Sequence, residues 1–359
     1  MNLVIDGMAV VVAKGATVLD AARGIGINIP TMCHLGGYAH FTSCMLCVVK
    51  DRESGRLIPS CSAPATDGMV IETDSDEVRH ARSSALDLLL SEHVGDCEAP
   101  CRITCPAHMN IPRMIRQIGA GRMRDAIETV KADIPMPAVL GRVCPAPCEK
   151  ACRRGRYDTP LAICLLKRYA ADADLSGPSS FHPVCRHASG RKVAIVGAGP
   201  AGLAAAYYLA LAGHACTIID EKDEAGGGLR YGVSESILPR GVLAGEVEGI
   251  RRLGVEFRMN TRVGRDADMG LLRMEFHAIV LAPGKQDAQS AAGWGVAVAD
   301  DRIVADQHSL ATSDTMVFAG GEAVQHGRMA VRAAAHGKIM AIAVDQYLAG
   351  GTVTGPVRR

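Results

Sequence analysis

A chain of 359 residues with 48% hydrophobic content is long enough for two or three compact units and has no long polar tract that would read as disorder. A net charge of +1 and 4% aromatic residues give neither the basic field nor the stacking platform of a nucleic-acid binder. No stretch approaches about eighteen uninterrupted apolar residues, and "MNLVIDGMAVVV" lacks the basic region, apolar core and cleavage site of an export signal, so a cytoplasmic protein without a transmembrane segment is expected. Thirteen cysteines in such a chain do not read as a disulfide framework, because the reducing cytosol keeps thiols free; metal ligation leads.

Residues 2–12 alternate around Asp6-Gly7, which predicts a β-hairpin, and Thr17 is a plausible N-cap for a helix through "VLDAARGIG". Cys33, Cys44, Cys47 and Cys61 then follow in the spacing C-x10-C-x2-C-x13-C. Four soft thiolates can hold zinc or an iron-sulfur centre; one long loop with a single C-x2-C, in place of two short knuckle pairs, favours iron. This stretch resembles the 2Fe-2S domain of the large iron-sulfur subunit of respiratory NADH dehydrogenase and of its relatives in NAD-linked hydrogenases and formate dehydrogenases, over residues 1–75. The resemblance implies a β-grasp ferredoxin-like domain with those four cysteines as ligands.

Apolar residues at three- and four-residue steps in "HARSSALDLLLSEH" and "IPRMIRQIGAGRMRDAIETVKAD" predict a helical domain over 76–175, with cysteines between and beyond the helices. The runs "CEAPCRITCPAHMNIP" and "GRVCPAPCEKAC" resemble the amino-terminal domain of the glutamate synthase small subunit, shared with dihydropyrimidine dehydrogenase. The resemblance implies two 4Fe-4S clusters with crossed ligands: Cys97, Cys101 and Cys152 on one, Cys105, Cys144 and Cys148 on the other. Each then lacks a fourth ligand. His93, ahead of the first run, resembles the histidine ligand of a cluster in the respiratory subunit and is the candidate for the first; the bland alternative is a capping or surface histidine. For the second, the position where the family has Glu or Gln falls on Lys167, which cannot ligate while protonated, and Cys164 one turn earlier is the candidate, against an ordinary core cysteine. The basic residues Arg142, Lys150, Arg153, Arg154 and Arg156 read as a solvated face or as an offset to cluster charge.

The polar segment 172–192, with 176–190 as its centre, reads as a linker before a final domain over 191–350. There "RKVAIVGAGPAGLAAAYYLALAGHACTIIDEKDEAGGGLRYG" runs a buried strand into Gly197, Gly199 and Gly202, with Pro200 and Ala201 opening an alanine-rich helix, and Asp220 closing a second strand where it can accept from a ribose. The motif alone does not separate FAD from NAD. Gly227, Leu229 and Gly232, then Ala282 and Gly284, then Gly320, Gly321 and Glu322, followed by Met329 and Ala330, resemble the FAD domain of the glutamate synthase small-subunit family. That resemblance implies a Rossmann-like FAD domain, with Glu322 where the family has Asp at the flavin's ribityl chain. Cys185 and Cys216 read as structural.

Family members insert a second dinucleotide unit, for NAD(P)H, before the final glycine turn. Here only residues 285–318 separate the two segments, without a second G-x-G-x-x-G. The expectation is an electron-transfer subunit with one FAD, one 2Fe-2S and two 4Fe-4S clusters, working with other redox subunits of a hetero-oligomeric complex linked to formate, hydrogen or NAD(P)H, and with no residue acting as acid, base or nucleophile. The competing readings are a self-sufficient NAD(P)H-dependent reductase and a non-catalytic iron-sulfur scaffold.

Overall fold

The computed structural model describes residues 1–38, 40, 42–91, 93, 97–177, 180–285, 293–327 and 329–356. They form two compact units, 1–97 and 98–359.

In the first unit, β1 (Asn2–Ile5) and β2 (Met8–Val11) pair antiparallel about Asp6 and Gly7, both at positive φ (49° and 82°), the backbone that a tight hairpin requires. Helix α1 (Val18–Gly24) opens on a full capping box: Thr17 Oγ1 accepts from the Asp20 N–H, and Asp20 accepts in return from the Thr17 N–H at 3.0 Å. With β3 (Val48–Asp51), β4 (Leu57–Pro59) and β5 (Val70–Glu72), the sheet runs β2-β1-β5-β3-β4, with β1 and β5 parallel and the other pairs antiparallel. Ile5, Leu19, Val49 and Ile71 fill the core between sheet and α1, and Cys47 and Cys61 are part of it. This is the β-grasp arrangement expected from the sequence.

Helix α2 (Asp76–Ser91) buries Val78 and clamps the sheet through Arg82, which donates to the Val48 carbonyl at 2.7 and 3.0 Å. By contact, this helix groups with the first compact unit, which runs to Cys97.

The second unit begins with short helices: α3 (Pro100–Thr104), α4 (Ile111–Gly119), α5 (Met123–Lys131), α6 (Pro137–Val143), α7 (Pro147–Lys150) and α8 (Ile163–Ser176). The chain continues through β6 (Lys192–Val196), α9 (Pro200–Leu211), β7 (Ala215–Ile219), α10 (Gly228–Tyr231), α11 (Arg240–Arg251), β8 (Glu256–Arg258), α12 (Met269–Glu275) and β9 (Ala278–Leu281). It ends in a small ribbon, β10 (Val298–Ala299) with β11 (Arg302–Ile303), then β12 (Val317–Ala319) and α13 (Ala330–Leu348). The sheet is parallel throughout, in the order β12-β9-β6-β7-β8. Its central strands "VAIV" and "AIVL" are buried on both faces, as expected of a parallel sheet covered by helices.

The early helices share most of their core with the helices of the sheet. Met109, Ile111, Met114, Val130 and Leu140 pack in one cluster with Ala204 of α9 and Val331, Ala334 and Ala335 of α13. The fully buried Glu246 of α11 adds a polar clamp: its carboxylate accepts the N–H groups of Ala138 and Val139 at 3.1 and 2.9 Å, capping α6 from the Rossmann-like part. The segment read as a linker is helical as far as Ser176. Its later part is tied to α9 and the turn after it by Arg186 N–H to Leu211 O and Ser189 N–H to Gly213 O, both 2.9 Å. Among the described residues no helix is long and apolar enough to cross a membrane.

Candidate cofactor and cluster sites

None of the thirteen cysteines is in a disulfide. In the first unit Cys33, Cys44, Cys47 and Cys61 come together at the edge of the core. The backbone N–H groups of Cys44 and Ser43 point at Cys33 and hold its thiol down to about 7, while burial, with Cys47 beside it, pushes Cys61 up to about 11. Cys44, Cys47 and Cys61 are buried and Cys33 is half-buried at the surface. The same unit holds the candidate histidine: His93 Nε2 lies 2.7 Å from Cys97 Sγ.

The second unit gathers a second group. Cys164 contacts both Cys144 and Cys148, and Cys105 is near enough to influence Cys148. Short helices make this possible: α6 ends at Cys144, α7 carries Cys148 in its first turn, and Cys164 opens α8, where its N–H donates to Glu149 Oε1 at 2.8 Å. The bond from Cys164, more than burial, raises Cys144. Cys101 is raised by burial first and then by the nearby charges of Cys152 and Cys105. Among the described residues no three metal-binding side chains converge on a single-ion site. As donors they suit iron-sulfur chemistry, being soft thiols with no carboxylate among the four.

The parallel sheet supports a cavity of about 520 Å³ at the carboxyl ends of its strands. Gly197 leaves β6 at φ +106°, and a Cβ there would collide with the Ala282 carbonyl; one at Gly202 would strike the Gly197 carbonyl. These two contacts bring the β6–α9 turn and β9 together and aim the α9 N-terminus, with Pro200 at its first position, into the cavity. Asp220 holds the turn from the side, accepting the N–H groups of Ala198 and Lys222 at 2.6 and 2.8 Å. Every cofactor-binding residue picked out from the sequence lines this cavity except Gly202 and Gly320, which are buried.

Sequence reasoning missed Val143, Tyr231, Gln325, Arg332 and His336, which also line the cavity. Val143 comes from α6, so the helical region contributes to the wall. His336 accepts the Gly321 N–H at Nδ1 (3.1 Å), and burial, aided by Arg332, pushes its imidazole pKa down; the neutral ring thus fixes the glycine turn before Glu322. The lone histidine of "AAAHGK" within an alanine-rich helix is the signal that could have found it. Between β9 and β12, which pair directly, the described residues 293–316 carry only the β10–β11 ribbon. Residues 286–292 fall outside the described residues. Cys216 is buried in β7 and pushed up to about 12 by burial; Cys185 is half-buried and raised by burial alone.

Residues 1–76 match a family described as a 2Fe-2S iron-sulfur cluster binding domain, 76–177 one described as dihydropyrimidine dehydrogenase domain II, 4Fe-4S cluster, and 195–240 one described as an NAD(P)-binding Rossmann-like domain. The chain is 42% identical over 207 residues to the NADP(+)-dependent formate dehydrogenase subunit beta of Moorella thermoacetica, covering 52% of this chain and 29% of that one. It is 37% identical over 219 residues to the NADPH-Fe(3+) oxidoreductase subunit beta of Geobacter sulfurreducens (58% and 33%) and 40% identical over 190 residues to the glutamate synthase [NADPH] small chain of Mycobacterium tuberculosis (53% and 39%). The aligned part thus spans roughly a third of these relatives' length. The chain combines 2Fe-2S and 4Fe-4S cluster domains with a Rossmann-like domain, in agreement with the resemblances read from its sequence.

Proposed function

We propose that the chain is an electron-transfer subunit of a larger cytoplasmic oxidoreductase, holding one FAD, one 2Fe-2S and two 4Fe-4S clusters. The observation that carries this reading is the end of α6: Val143 lines the dinucleotide cavity and the next residue, Cys144, belongs to the sulfur group of the second unit. A flavin bound in the cavity would therefore sit beside the backbone that carries a candidate cluster ligand.

In this reading Cys33, Cys44, Cys47 and Cys61 hold the 2Fe-2S cluster. Cys105, Cys144, Cys148 and Cys164 hold one 4Fe-4S cluster; His93, Cys97, Cys101 and Cys152 hold the other. The α9 N-terminus takes the FAD pyrophosphate, and Asp220 keeps lone pairs free for a ribose beside the two N–H groups it already accepts. Glu322, set by the His336-braced turn, would accept from the ribityl chain, and Met329 and Ala330 line the same cavity. Bound FAD would supply the exchange between two-electron and one-electron chemistry. The chain's own groups would bind, orient and shield it.

The ribbon that stands between β9 and β12 supports a hydride donor or acceptor handled by a partner subunit, and the relatives named as beta subunits of formate dehydrogenase and NADPH-Fe(3+) oxidoreductase support such an assembly. Anaerobic isolation of the native complex, with subunit identification and assay of iron, acid-labile sulfide and released nucleotide, tests the reading. Iron, sulfide and FAD together are expected; zinc in their place ends it. The match of residues 195–240 to an NAD(P)-binding domain favours a second reading, in which the cavity takes NAD(P) directly. Released NAD(P) without FAD, or rapid bleaching of the isolated chain by NADPH, would establish that one. His93→Ala and Cys164→Ser should each alter a different 4Fe-4S signal in electron paramagnetic resonance.

A further inference from the structure

Lys167 lies one turn beyond Cys164 on α8, at 3% exposure, with its Nζ 3.9 Å from Cys164 Sγ. Among the described residues no carboxylate pairs with it. Its neighbours in the same helical region are neutralised by acids: Arg142 by Asp172 (2.8 Å), Arg154 by Asp158 (2.7 Å) and Lys131 by Asp174 (3.3 Å). A buried ammonium without a counter-charge costs several kcal/mol, so the fold does not retain one for packing alone. The groups that feel its charge are Cys144, Cys148 and Cys164.

We infer that Lys167 is the built-in counter-cation of the cluster held by Cys105, Cys144, Cys148 and Cys164, and that it raises that cluster's reduction potential. The inference rests on the cluster reading given above. A four-thiolate iron-sulfur cluster is an anion that gains one more negative charge on reduction, with no bond made or broken. A fixed positive charge nearby therefore stabilises the reduced form more than the oxidised one, and in this dry surrounding the attraction is weakly screened. The position at which the glutamate synthase resemblance leads one to expect a Glu or Gln ligand thus carries a positive charge, while ligation moves back one turn to a thiolate. Lys167 is a positioning and charge-setting residue, not a ligand.

The test is a redox titration followed by electron paramagnetic resonance on the anaerobically prepared full chain, with iron and sulfide assayed in each sample, for wild type, Lys167→Met and Lys167→Arg. Lys167→Met should keep its iron and signal but shift the reduction equilibrium at least tenfold toward the oxidised form, a fall of 59 mV for a one-electron couple. Lys167→Arg should stay within a factor of three of wild type. A fully loaded Lys167→Met with an unchanged midpoint overturns the inference and leaves the cluster reading standing; a wild type without iron and sulfide overturns the cluster reading itself. If Lys167→Met does not load iron, loading of Lys167→Arg with a wild-type midpoint upholds the need for positive charge, and failure of both overturns it.

Discussion

The sulfur group of the first unit and that of the second use the same atom type but are supported differently. Around Cys33 the stabilising partners are backbone N–H groups of its own loop, from Cys44 and Ser43. Around Cys144, Cys148 and Cys164 the sulfurs bond mainly to one another, and the nearby positive charge is a side chain, Lys167. A loop can wrap donors around an anion because its peptides are not committed to a ladder. In the second group the backbone contributes at Cys144, from Ala146, and a buried cation adds to it.

The sharpest break of this comparison is to remove one thiol from each group. Cys148→Ser should lose the iron and sulfide of the second group while the 2Fe-2S absorbance persists, and Cys44→Ser should do the reverse, as read by metal assay and paramagnetic resonance. Next in size is Gly197→Val, which places a Cβ against the Ala282 carbonyl at a φ of +106°. A loss of about 3 kcal/mol and of bound cofactor is expected in calorimetry and cofactor release, with the first unit's absorbance intact.

A third prediction concerns Glu246, where burial outweighs the two N–H donors and lifts the carboxyl from 4.5 to about 7. The folded state holds this proton more tightly than the unfolded one. Its contribution to stability is therefore full below pH 4.5 and is lost as pH rises through about 7, a change of about 3 kcal/mol across the window. Glu246→Gln should flatten the thermal midpoint between pH 5 and 7.5 by roughly that amount, read in the second unit alone. The smallest effect is Thr17→Ala, which opens the capping box and should cost about 1 kcal/mol in the first unit without touching the second.

Much of this architecture is legible from the chain. The Asp6-Gly7 turn, the Thr17 cap and the buried runs "VAIV" and "AIVL" are local signals, and each appears where its chemistry requires. Gly197 and Gly202 follow for the same reason, since a backbone forced against another backbone admits no other residue. What escaped the sequence is tertiary. Nothing in "HARSSALDLLLSEH" says that Arg82 will bind the Val48 carbonyl and attach the helix to the first sheet. Nothing in the polar run after residue 172 says that α8 continues to Ser176. Val143 and His336 reach the cavity only because α6 and α13 cross there. Lys167 reads from sequence as a failed ligand; its burial without a carboxylate is visible only in three dimensions.

Helix α6 is seven residues long, yet Glu246 grips its first turn, its last residue forms cavity wall and the following residue carries a sulfur donor. Such a strut is too short to bend and is anchored at both ends. Loading either site should stiffen the other, so that apoprotein missing one prosthetic group is expected to acquire its counterpart more slowly during maturation.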